Sequence, residues 1–258
     1  MRKIAVAVSV LALTSGLRAA DPSPSYRSSD DNTLMTFKGM QLEQKPNDVY
    51  RLIINGGIQI LEKKENLSIV ADHGEAFFAS KFGKTALKSV HASKSVKITK
   101  RSDAKGNSRT ISITSNEADY DANPAGPIAD FHGSVVLNDL DSGNRTVVHA
   151  TANRATAMFR KGSGQKRSAF SEARLIGSVI VNVDQAPIGK GKAGTLVARC
   201  SELTYTPNAS QSVLKLNGNV QIDGTDGAIS GTLRHVQNVT IHLNAKGEAT
   251  GCDTGTAP

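Results

Sequence analysis

Six histidines, His73, His91, His132, His149, His235 and His242, are the side chains of this 258-residue chain best suited to acid–base or metal chemistry. Their spacing supplies neither. No His-Glu-x-x-His pair occurs, and no Gly-x-Ser-x-Gly elbow presents a nucleophile. Gly83-Lys84-Thr85 matches the end of a nucleotide-binding loop, but Phe78 stands where the upstream glycine is needed, so the phosphate cradle is missing. "DLDSGN" from Asp139 opens like a calcium loop, yet Ala150 occupies the closing position that needs a bidentate Glu. Two basic clusters, Lys94, Lys97, Lys100, Arg101 and Arg160, Lys161, Lys166, Arg167, suit either phosphate capture or a solvated surface. No catalytic constellation, metal site or cofactor motif results, and the chain reads as a protein that is not an enzyme.

The elements that carry these residues are β-strands. "LKLNGNVQI", residues 214 to 222, places Leu214, Leu216, Val220 and Ile222 on one face and polar residues on the other, with Gly218 on the apolar face. Strict two-residue alternation predicts a half-buried strand. The same motif returns as "GGIQI" from Gly56, "GSVVL" from Gly133 and "GSVIV" from Gly177; "KSVKI" carries Lys94 in the glycine slot. Successive copies start 38, 39, 44 and 41 residues apart, a period that predicts a repeat architecture. A glycine at that point permits a bend or bulge, or widens a slot on the inner face. Strands with one apolar face and no covering helix must fold their sheet over on itself. The expected fold is all-β: a long jelly roll or flattened barrel of about five repeats of roughly 40 residues, spanning residues 36–245.

Residues 1–20 place Arg2 and Lys3 before an apolar run, the layout of a cleaved export signal. Residues 21–35 read as a flexible linker and residues 246–258 as a flexible tail. Cleavage would leave 28 basic against 23 acidic residues, a net +5. That moderate excess favours anionic partners without selecting one. Nucleic acid is not expected, because export removes the chain from it and aromatics are only 4% of residues. Cys200 lies on an apolar strand face and Cys252 in the tail; they pair only if the tail folds back, and otherwise remain a buried and a free thiol.

The inner-face residues are Ile54, Ile58 and Ile60; Val96 and Ile98; Val135 and Leu137; Leu175, Val179 and Val181; and Leu214, Leu216, Val220 and Ile222. Stacked in register, they form either a dry core or a continuous apolar lining. The alternation of Ala92, Val96 and Ile98 directs Lys94 inward, where it would meet a phosphate or blunt an edge strand. A sheet that is not closed keeps unpaired edges, which favours head-to-tail association of like chains.

The segments "LIGSVIV" and "LKLNGNVQI", alternating with "IVADHGEAFF", "ITSNEADYD" and "ARCSELTYT", resemble the OstA-like repeats of the LptA/LptC lipopolysaccharide-transport family over roughly residues 36–245. Length and Lys94 in a glycine slot depart from that pattern. The resemblance implies a twisted antiparallel β-jelly roll in the periplasm that shields lipid A acyl chains in an apolar lumen during passive transit from inner to outer membrane. It also implies docking onto related jelly-roll proteins of the inner- and outer-membrane complexes. Two other readings are a secreted polysaccharide-active β-helix enzyme and a ligand-free structural filament. The first sits poorly with the 40-residue period and the absence of Trp.

Overall fold

The structure is a computed structural model. It describes residues 25–27, 33–63, 66–81, 84–104, 107–121, 128–141, 146–160, 169–185, 194–206, 211–226, 230–244 and 249–255. These form one antiparallel sheet in which each strand pairs with the next in sequence. The strands are β1 (Ser25–Arg27), β2 (Thr33–Lys45), β3 (Val49–Glu62), β4 (Leu67–Lys81), β5 (Lys84–Ala104), β6 (Asn107–Asp121) and β7 (Ile128–Asp141). They continue as β8 (Thr146–Arg160), β9 (Ala169–Gln185), β10 (Gly194–Thr206), β11 (Gln211–Thr225), β12 (Gly231–Asn244) and β13 (Ala249–Thr254). The sheet is open and curled, with β1 and β13 at its two edges.

Strands this long stay in register with their neighbours only if all of them bend together. The bend is written into alternate strands as two successive residues of left-handed backbone: Gly56-Gly57, Lys94-Ser95, Gly133-Ser134, Gly177-Ser178 and Gly218-Asn219. At each pair the register slips. Asn217 faces Asn238 and Val220 faces Val236, so two residues of β11 oppose the single Gln237 of β12. Such a bulge bends and twists its strand. At Gly218, with φ +77, an added Cβ would lie 2.7 Å from Ser201 Oγ, so the site needs a residue without a side chain for both backbone and space. After four of the five pairs the next residue packs into the crease: Val96, Val135 and Val179 are 1% exposed and Val220 is 0% exposed, whereas Ile58 after Gly56-Gly57 is half-buried.

The sheet extends beyond residues 36–245 at both ends. The expected linker supplies β1, whose Ser25, Tyr26 and Arg27 pair with Thr36, Met35 and Leu34. The expected tail supplies β13, where Cys252 faces Ile241. Backbone pairing, which composition does not report, holds both segments. The export signal and residues 161–168 of the second basic cluster lie outside the described residues. Lys94 is exposed, not inward: the left-handed pair restarts the alternation at Val96. Both cysteines are free, Cys200 buried and Cys252 exposed. Three strand spacings, about 14 Å, separate β10 from β13, beyond the reach of a disulfide.

Candidate binding face

Register turns the short apolar motifs into rows that cross the whole sheet. One row, on one side of the crease, runs Ile60, Ile69, Ile98, Ile113, Leu137, Ala150, Val181, Ala198, Ile222, Leu233, each residue directly opposite the next. On the other side the row is Ile54, Gly74, Ala92, Ala118, Phe131, Ala155, Leu175, Leu203, Leu216, Val239. Directly opposed side chains on one face are close enough to pack, which ties each row into a strip. Residues from both sides and the crease join one core cluster over β7 to β12.

The two ends of this face differ. In β8 to β11 the rows close against each other: Val181 is 9%, Ala198 2%, Ile222 2% and Leu216 1% exposed. In β3 to β6 the row Ile60, Ile69, Ile98, Ile113 stays only half-buried. The opposite row there is Ile54, Gly74, Ala92 and Ala118, small beyond Ile54, and Ile98, Ile113 and Ala118 pack at the margin of the core cluster. A Cβ on Gly74 would stand 3.8 Å from Ile58 Cγ2 and 3.9 Å from the His91 carbonyl oxygen, ordinary contacts, so the position has room for one. Val96 and Ala71 line the crease of this stretch at 1% exposure each, and Ile54 at the head of the opposite row is 3% exposed. Beyond Ile98 on the same face stands exposed Lys100, level with Leu67 and Ile111.

Of the residues expected to line the inner face, Ile54, Val96, Val135, Leu175, Val179, Val181, Leu216, Val220 and Ile222 are buried in the sheet's own packing. Ile58, Ile60, Ile98, Leu137 and Leu214 keep partly accessible surface. The repeat motif directed attention to the glycine-bearing strands and passed over Ile69 and Ile113, their partners on β4 and β6. The alternation in "LSIVA" and "ISITS" was the available signal.

The other face mixes polar side chains with exposed Val70, Leu140, Val147, Ile176 and Ile180. Arg51 on β3 reaches Glu75 on β4 with Nη2 2.6 Å from Oε1, and Glu43 on β2 with Nη1 3.4 Å from Oε2. The hydrogen bond from Arg51 holds the Glu75 carboxyl below its ordinary value, and that from Lys45 does the same for Glu43. Arg234 likewise lowers Asp223. Asp119 lies 2.8 Å from His91 Nδ1 and 3.4 Å from His132 Nε2. His73, His149 and His235 each place Nδ1 within hydrogen-bonding distance of an Asn side chain, Asn55, Asn138 and Asn219. These contacts tie neighbouring strands together. Burial pushes the Cys200 thiol up to about 11, so it remains protonated at neutral pH. No family model matches the chain, and no curated protein and no solved structure matches it.

Proposed function

We propose that this chain is an exported, periplasmic carrier of lipopolysaccharide, in which the curled sheet acts as a jelly roll with an apolar lumen for lipid acyl chains. The observation that carries the reading is the half-buried isoleucine row of β3 to β6 facing Gly74, Ala92 and Ala118. A folded chain of ordinary stability has little reason to leave a strip of isoleucines facing a row of small residues, unless a ligand completes the packing. An acyl chain of about a dozen carbons gains on the order of 10 kcal/mol when its methylenes leave water, at about 0.8 kcal/mol each. Lys100, on the same face as Ile98, would meet an anionic headgroup at the lip.

The carrier is passive, with export energy supplied elsewhere. Its open edges favour a head-to-tail chain: among the described residues β1 pairs with Leu34–Thr36 of β2, and the six-residue β13 forms the other edge. Related jelly-roll proteins of the two membranes would dock on the same edges. Binding of purified full chain to lipopolysaccharide, competed by lipid A and not by the detached polysaccharide, tests the reading; binding through the polysaccharide alone would contradict it.

A further inference from the structure

The first basic cluster divides between the two faces of the sheet. Lys100 follows Ile98 on the inner face, whereas Lys97 and Arg101 stand on the outer face, four residues apart on one strand. There they border a groove of about 390 Å³, formed with Thr99 of β5, Ser68 and Val70 of β4, Leu61 of β3 and Asn66 at the turn. Register places Leu61 opposite Ser68 and Ser68 opposite Thr99, and Val70 opposite Lys97, so these side chains share one face. The turn is pinned at the groove's end: the Asn66 N–H donates to the Lys63 carbonyl at 3.3 Å, and the Arg101 N–H donates to the Asn66 carbonyl at 3.0 Å.

We infer that this outer groove binds a phosphorylated sugar. Among the described residues no acidic side chain pairs with Lys97 or Arg101, in contrast to Arg51, Arg109, Arg154, Arg174 and Arg234, which each hold a carboxylate. Lys97 and Arg101 flank the concavity about 13 Å apart along β5, and either suits a phosphate, to which Arg donates in a fixed fork and Lys as a point charge. The hydroxyls of Ser68 and Thr99 and the amide of Asn66 add donors and acceptors for sugar hydroxyls. Leu61 and Val70, the latter 40% exposed, offer apolar surface for the C–H face of a ring. The volume falls within the range of small-molecule sites, larger than bare phosphate requires. The groove lies on the opposite face from the isoleucine row, so this inference stands on its own observations.

Titration calorimetry on the full chain tests it with glucose 6-phosphate, glucose and inorganic phosphate, alongside flotation with phosphatidylglycerol vesicles. Glucose 6-phosphate should bind at least tenfold more tightly than either glucose or phosphate. The exposed double variant Lys97→Gln/Arg101→Gln should lose that binding at least tenfold with an unchanged unfolding midpoint. Binding unaffected by the double variant overturns the site. Inorganic phosphate binding as tightly as the sugar phosphate overturns the saccharide. Vesicle binding through Lys97 and Arg101 without sugar-phosphate binding overturns it in favour of a membrane surface.

Discussion

Ser201 and Gly218 fit together across β10 and β11: the Ser201 hydroxyl donates to the Gly218 carbonyl at 3.3 Å, and its Oγ occupies the space where a Gly218 side chain would begin. Asn153 stands over Gly177 and Asn116 over Gly133 in the same way. The crease is therefore a two-strand device, with a glycine in left-handed backbone on one strand and a polar side chain on the next.

Substitution of Gly218 by Val should cost about 2–5 kcal/mol, from left-handed strain of about 1–2 kcal/mol and overpacking against Ser201 of about 1–3 kcal/mol. Urea unfolding would measure it, and Ser201→Gly in the same chain should recover the overpacking part alone.

Lys94 is the reverse case, a side chain in the glycine slot at φ +62. Lys94→Gly relieves about 1–2 kcal/mol of strain but adds about 0.5–1 kcal/mol of unfolded-chain entropy. A stability gain of up to about 1.5 kcal/mol in the same urea assay is expected, the opposite sign to Gly218→Val.

The alternation that made each strand legible also concealed what the structure adds. Leu216, Val220 and Ile222 read from sequence as one apolar face and pack as one, because a two-residue period is a local property. Lys94 was misplaced because a left-handed pair, a backbone conformation with no single-residue signal when a lysine holds it, resets the period. The residues of β1 and β13 read as linker and tail because Ser, Pro, Asp and Thr composition carries no record of which edge is free to pair. The half-open stretch of the inner face needed register, which alone brings Gly74, Ala92 and Ala118 into one row.

The two thiols should differ sharply in reactivity. With Cys200 pushed up from 9.0 to about 11, its thiolate population at pH 8 falls about 100-fold, and burial blocks access further. Exposed Cys252 should react with a thiol reagent in the native protein, and Cys200 only after denaturation. Two equally fast thiols would contradict the packing of β10.

Acid should weaken the β2–β3–β4 junction. Glu43 and Glu75 titrate below their ordinary 4.5 in the folded chain. Their contribution to stability is therefore present above that value and is lost as pH falls through the lowered folded one. Both carboxylates are solvent-accessible, so the effect is small. Arg51→Gln should flatten the fall of the thermal midpoint between about pH 5 and pH 3 relative to the parent chain.

Filling the gap in the inner face should separate binding from folding. Gly74→Ala adds a Cβ that meets only ordinary contacts with Ile58 and the His91 carbonyl oxygen, so stability should change by less than about 1 kcal/mol. Affinity for lipopolysaccharide should fall at least tenfold in a fluorescence displacement assay with an acyl-chain probe.

The most direct measurement is site-specific photocrosslinking in cells, with a photoreactive residue placed in turn at Ile98, Ile113 and Val220. The carrier account predicts lipopolysaccharide adducts from Ile98 and Ile113, on the half-buried row, and none from Val220, sealed in the crease. Lipopolysaccharide adducts absent from both isoleucine positions, in a chain that is folded and exported, would contradict it.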